Sequence, residues 1–398
     1  MLARWFKSLG PGVITAALVF GPGSLTITSR LGAVYGFELL WVIVVAVVLM
    51  ITFTGMGARI GLASTDSLIE LFRKKWGNLA AWVAGLGIFF VTASFQAGNT
   101  VGAGLALSES LGSSNAVWIV LISLLAISLL FFKSFYLILE KVMIVMVAIM
   151  VLSFLFTLVL APPSLADVYS GLSPTIPTGS FILVIALVAS SFSIAGAFYQ
   201  SYLVQEKGWK KSQKEDALRE SFTGIVILGL ISSLILLSAA TILYPQGITV
   251  ASAADMGMAL EPVYGRFSFM VFMIGLFGAS FSSLLGNATI GGTLLADALS
   301  LGRDLNSIPV KLLITLIVLI GAAVALIFGR LPLELIVFAQ GITIFAVPFI
   351  GLGIFLIGSD EKIMGSLTNK VWSLVFGLVG LLVLLTLAIS NAYVLFYQ

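Results

Sequence analysis

Any chemistry inside the apolar stretches of this chain falls to neutral groups. Histidine and cysteine are absent, which removes the usual proton carrier near neutral pH, the commonest metal ligand and all thiol chemistry. The polar residues within long apolar stretches are amides and hydroxyls: Gln96 and Asn99, Ser190, Ser191 and Ser193, Ser280, Ser283 and Asn287, and Gln340. Every Asp and Glu, from Glu38 to Glu361, falls in a connection or within a few turns of a segment's end. No buried carboxylate pair and no nucleophile with a base is available, which argues against an enzyme. Neutral oxygens and amides suit the holding of a small ion or polar solute instead.

One stretch adds a backbone signature to this inventory. Val13 to Tyr35 reads as a membrane-spanning helix, yet its middle holds Gly21-Pro22-Gly23-Ser24. Proline removes a backbone donor and clashes with the preceding turn, so the helix should break there. At about 1.5 Å per residue the break lies about 14 Å above Gly12, near the middle of a hydrocarbon core about 30 Å thick. Irregular backbone at that depth survives only inside protein or beside a watery cavity. A midplane break therefore marks a candidate binding site.

The elements that must position these residues follow from composition. The 398 residues are 60% hydrophobic and 9% charged, with mean hydropathy +1.17, which excludes an ordinary soluble domain. The net charge of +3 is spread over short loops and does not point to nucleic acid. About eleven apolar segments are long enough to span: 12–34, 38–62, 79–110, 116–132, 136–161, 180–203, 219–244, 264–292, 310–329, 333–358 and 371–396. The start, with Arg4 and Lys7, resembles the basic part of a signal peptide but leads into an apolar run longer than such peptides carry, and reads as a retained first span. Lys and Arg concentrate in the loops that share one side, including Arg73, Lys74, Lys75, Lys207, Lys210, Lys211, Lys214, Arg303, Lys362 and Lys370. This places the N-terminus in the cytoplasm and, with an odd span count, the C-terminus outside an expected plasma (inner) membrane.

Span six carries a second weak point, Ser190 to Ala197, again near the midplane. Taken alone it reads as a serine-rich packing face. Paired with span one, five spans earlier, it matches inverted-repeat transporters whose substrate lies between two broken helices. The chain then divides into repeat one (about 12–161), repeat two (about 180–358) and an additional helix (about 371–396), all within one transmembrane unit 1–398. In span three Gln96 and Asn99 share a face beside Gly98, Gly102 and Gly104. In span eight Ser280, Ser283 and Asn287 form one stripe, open to reading as packing glue or as ligands. Arg59 and Glu140 read as snorkelling or gate-forming charges.

The chain resembles the NRAMP family of proton-coupled divalent-metal transporters. The resemblance rests on Gly10-Pro11-Gly12 with Pro22-Gly23, Leu39-Leu40-Trp41-Val42, Ala58-Arg59-Ile60-Gly61, Val101-Gly102-Ala103, Ser201-Tyr202-Leu203-Val204-Gln205, Ser282-Ser283 and Ala339-Gln340, in order and spacing. It implies an all-α membrane protein with a LeuT-type inverted 5+5 repeat, helices 1 and 6 broken, and a substrate site at Gly21, Ser24, Ser190, Ser193 and Gln340. Where the family carries Asp-Pro-Gly-Asn this chain has Gly21-Pro22-Gly23-Ser24, and the family's proton-relay positions correspond to Gln96, Asn99, Ala195 and Gln200. The scaffold is kept while its carboxylate, thioether and imidazole groups are replaced. A small transported ion or solute, a lipid bilayer and no cofactor are expected. The first reading is a hydrated divalent cation such as magnesium, moved by alternating access without proton coupling. The alternative is a small anion or neutral polar solute, sodium-coupled through Val19, Phe20, Ser280 and Ser283.

Overall fold

Each of the eleven apolar segments carries a helix. The computed structural model describes the backbone of residues 20–250, 253–328 and 333–397, and within it the side chains of all but 133–140, 142–144, 253–254, 333–345, 391 and 394–397. In chain order the helices are α1 (Pro22–Tyr35), α2 (Leu40–Ala63), α3 (Leu68–Trp76), α4 (Asn78–Leu111), α5 (Asn115–Leu129), α6 (Lys133–Leu160), α7 (Phe181–Ser191), α8 (Ile194–Glu206), α9 (Lys214–Ile242), α10 (Ser268–Ala298), α11 (Ile308–Phe328), α12 (Leu333–Gly358) and α13 (Val371–Tyr397). Short helical turns lie in the connections. Among the described residues seven helical stretches are long and apolar enough to cross a membrane, α7 and α8 counting as one. No strand occurs among the described residues, so the fold is all-α.

α1 begins where the first break is expected, and the second break is present. Pro22 takes the first position of α1, where its missing N–H costs nothing and its fixed φ suits a helix start, and Gly21 is the extended residue before it, with φ −113° and ψ 178°. Span six stops at Ser191 and restarts at Ile194. Neither Pro nor Gly makes that second break. Ser193 does, its hydroxyl accepting the N–H of Gly196 at 3.2 Å and so capping α8. The break therefore sits at Phe192-Ser193, and Ala195, expected within it, belongs to the first turn of α8.

Small residues set the helix spacing. α4 and α10 form the most extensive pair. A Cβ on Gly85 would stand 2.3 Å from that of Ala298, and one on Gly291 would stand 2.0 Å from the Thr92 hydroxyl. Gly57 and Gly61 bring α2 against the backbone of α8, where added Cβ atoms would fall 2.1 Å from the Ala197 carbonyl and 2.4 Å from that of Ser201. With little hydrophobic drive between helices in lipid, such close backbone approach is what holds them. Apolar side chains such as Ile389 and Leu382 cover the outside.

The lysine- and arginine-bearing connections gather at one end. Arg73 donates to the carbonyls of Asp297 (3.1 Å) and Ala298 (2.9 Å), Gln205 to those of Ser64 (2.7 Å) and Asp66 (2.9 Å), and Arg303 to Gln205. Lys75 pairs with Asp360 and holds that carboxyl below its usual range, while Lys207 pairs with Glu220. Arg59 departs from the expectation of a snorkelling or gating charge. It is 8% exposed, and its five N–H groups donate to the carbonyls of Gly55, Leu367 and Thr368, to Asn369 Oδ1 (2.7 Å) and to Ser373 Oγ (3.2 Å). It ties α2 to the connection that leads into α13. At the opposite end Trp41 bonds the loop before α7, through Gly171 O (2.9 Å) and Thr175 O (3.0 Å).

Candidate functional site

The break before α1 is built on three elements. Phe20 is fully buried, and its carbonyl accepts from the Ser283 hydroxyl of α10 at 2.9 Å. Gly21 leaves no spare room: a Cβ there would meet Asn99 Oδ1 at 3.0 Å and Ser283 Oγ at 3.2 Å. Gly102 of α4 lets the walls close, since a Cβ on it would stand 2.6 Å from Ser280 Oγ and 2.9 Å from the Pro22 Cβ. Ser24 is buried in the first turn of α1. The Gly21 carbonyl already accepts from Leu25 N at 3.2 Å.

Two buried polar atoms on this wall, Asn99 Nδ2 and Ser280 Oγ, have no hydrogen-bond partner among the described residues, and neither has Gln96 Oε1, one turn of α4 away. Gln96 is fully buried and donates through Nε2 to the Leu284 carbonyl of α10 at 2.9 Å, which settles which end of its amide is left open. An unpartnered polar group away from water costs about 1–3 kcal/mol. A cluster of them beside interrupted backbone is the arrangement expected of groups that bind something else. All are neutral, and among the described residues no three His, Cys, Asp or Glu side chains gather as a metal cage would.

The residues expected around the second break do not share this character. Ser190 donates back to Leu187 O on its own helix at 3.0 Å, and Ser193 serves as the cap of α8. Ser193 and Ala195 line a cavity of about 20 Å³ walled by Phe95, Phe192, Val347 and Leu384, an apolar setting with room for a single water. Gln200 donates to Ser221 on α9 at 2.7 Å and is 4% exposed. Of the four former relay positions, Asn99 stands against Gly21, Gln96 packs on Gly321 of α11 and bonds Leu284 of α10, and Ala195 and Gln200 are engaged elsewhere. The side chain of Gln340 and the whole of Val19 lie outside the described residues. The other candidate sodium groups, Phe20, Ser280 and Ser283, are brought together, but the Phe20 carbonyl and Ser283 hydroxyl satisfy each other.

Two buried hydroxyls escape a reading by sequence. Thr28 of α1 and Thr54 of α2 are 0% and 1% exposed, and neither hydroxyl has a partner. A helical threonine ordinarily bonds the carbonyl a turn earlier, as Thr100 does to Gln96 at 2.9 Å. Nothing in the sequence separates the two kinds.

With this geometry in view, comparison with known proteins is informative. The family described as natural resistance-associated macrophage protein-like (Nramp) matches residues 12–394. The divalent metal cation transporter MntH of Chromohalobacter salexigens is 27% identical over 98% of this chain and 91% of its own. Among solved structures, the Eremococcus coleocola manganese transporter in complex with an aromatic bis-isothiourea substituted compound superposes with a TM-score of 0.81 at 17% identity, covering 99% of this chain and 89% of that one. Mhp1, a nucleobase-cation-symport-1 family transporter, gives 0.66 at 13% identity over 97% and 93% of the two chains. The chain has the LeuT-type fold of membrane transporters rather than that of an enzyme, and it belongs to the Nramp family.

Proposed function

We propose that this protein carries a hydrated divalent metal cation such as magnesium across the membrane by alternating access between halves at about 12–161 and 180–358, without the proton coupling usual for its family. The observation that supports this most is the wall around Gly21, where polar atoms of Asn99 and Ser280, buried and unpaired among the described residues, meet interrupted backbone, with the open Gln96 amide oxygen one turn away and only neutral side chains among those described there. A transition metal stripped of water calls for imidazole, thiolate or carboxylate ligands. Mg²⁺ dehydrates reluctantly and keeps several waters, which neutral oxygens and amides can hydrogen-bond. Relatives named as divalent metal cation and manganese transporters favour a divalent cargo. With Gln96 and Asn99 in span three, no group there takes up or releases a proton near neutral pH. The expected setting is an inner membrane, with the lysine-rich end and N-terminus in the cytoplasm.

One feature favours the second reading, a small anion or neutral polar solute coupled to sodium. Both α1 and α8 begin at the breaks, so the positive ends of two helix dipoles meet the interrupted backbone, and Asn99 Nδ2 is a free donor. Liposome flux separates the two. Under the cation reading, purified protein gives saturable magnesium or manganese uptake that weakens in Gln340→Ala and leaves lumenal pH unchanged. Saturable uptake of an anion with no divalent response overturns the choice of cargo, and a stoichiometric proton signal overturns the uncoupled mechanism.

A further inference from the structure

Among the described residues Arg59 is a buried cation without a counter-ion. All five of its N–H groups are occupied by neutral oxygens, and no carboxylate of the described residues lies within ion-pair distance of it. A buried charge held only by dipoles is costly, and an opposite charge placed near it recovers part of that cost. Arg59 lines a cavity of about 250 Å³ between α2, α9 and α13, where Lys214 and Lys370 also stand. Neither lysine has an ion-pair partner among the described residues. Lys214 opens α9, whose positive dipole end therefore meets the same cavity. Among the described residues no acidic side chain lines it.

The cavity continues into an apolar one. Leu218 and Phe222 line both it and a second groove of about 550 Å³ that follows α9 through Val226 and Ile227 to Leu230. Val226 and Leu230 are exposed, as is Trp372 on the rim of the basic pocket. Among the described residues Glu215 is the one carboxylate along the second groove, with Arg219 beside it in the same lining. A basic pocket opening onto a lipid-facing apolar groove matches a phosphate ester that carries acyl chains.

We propose that an anionic glycerophospholipid occupies this groove, its phosphate between Lys214 and Lys370 and its acyl chain along Phe222 to Leu230. The two ammonium groups supply the hydrogen bonds, and Arg59, with no donor left, supplies charge. The lipid in turn neutralises the buried guanidinium that fastens α2 to the start of α13.

Native mass spectrometry of the full-length protein, titrated with phosphatidylglycerol or phosphatidylcholine, tests this. One phosphatidylglycerol per chain is expected at least tenfold more tightly held than phosphatidylcholine. The double variant Lys214→Glu/Lys370→Glu should weaken it roughly thirtyfold, from the known effect of basic residues near anionic lipid. The matched variant Lys210→Glu/Lys211→Glu, at the same end but outside the groove, should change it little. Equal retention of both lipids, or equal loss in both double variants, overturns the proposal. Glycerol 3-phosphate distinguishes a soluble phosphate ligand: if it displaces phosphatidylglycerol at equal concentration, and Phe222→Ala leaves lipid affinity unchanged, the acyl groove plays no part and the lipid assignment fails. None of these readouts involves transport, so they stand apart from the choice of cargo.

Discussion

The two helix breaks occupy corresponding places in the chain and are built in opposite ways. At Phe192-Ser193 the backbone is satisfied locally, with Ser193 capping α8, Ser190 bonded within α7, and phenylalanine and leucine facing the remaining 20 Å³. At Gly21 no side chain caps α1, and the nearby Asn99 and Ser280, with Gln96 one turn further along α4, each keep a polar atom without a partner among the described residues. A break closed by its own side chains carries structure, and one left open to its neighbours is available to a ligand. Under the proposed function the binding duty falls mainly to α1, α4 and α10, where the sequence pattern alone divides it between spans one and six.

The contrast is broken most severely at Gly21. Gly21→Leu drives a side chain into Asn99 and Ser283, which already stand 3.0 and 3.2 Å from a bare Cβ. Transport should fall by more than about tenfold, with an overpacking cost to stability of about 1–3 kcal/mol. Flux in liposomes together with thermal unfolding reads both. Full flux in Gly21→Leu would place the cargo elsewhere. A second pair of substitutions separates the two amide regions. Asn99→Leu removes the unpaired amide and should raise KM roughly tenfold, the worth of one or two neutral hydrogen bonds. Gln200→Leu deletes the buried bond to Ser221 and should cost about 1 kcal/mol of stability while leaving KM alone. A KM shift in Gln200→Leu matching that of Asn99→Leu would restore a joint role for the former relay positions.

The positions of both breaks were legible in the sequence because Gly-Pro-Gly and a run of serines act on the backbone within a few residues. Span limits were legible to within a few residues for the same reason: hydropathy is local. Arg59 was misread because its partners Leu367 to Ser373 lie some three hundred positions away, and only the packing of α2 beside the start of α13 shows that a charge near a helix end is inside rather than snorkelling. The bond of Gln200 to Ser221 was not legible for the same reason, since Ser221 belongs to the next helix and an amide in an apolar run does not declare its partner. Ser280 and Asn99 were identifiable as polar faces, yet their being unpaired among the described residues depends on the close approach of α1, α4 and α10 at Gly102 and Gly21.

The smallest effect is expected where the break is self-contained. Ser193→Ala deletes the oxygen that accepts from Gly196 N and leaves the first turn of α8 one bond poorer. N-cap replacements of this type cost about 1 kcal/mol, so unfolding should shift by a few degrees at most. KM should stay within about twofold, because the lost bond lies between backbone and cap and the cavity beside it is apolar. Ser193→Thr keeps a capping oxygen and should recover most of the stability. If Ser193→Ala instead raises KM as far as Asn99→Leu while stability is unmoved, the hydroxyl must leave its cap to meet the cargo during the transport cycle, and the two breaks would then differ in state rather than in kind.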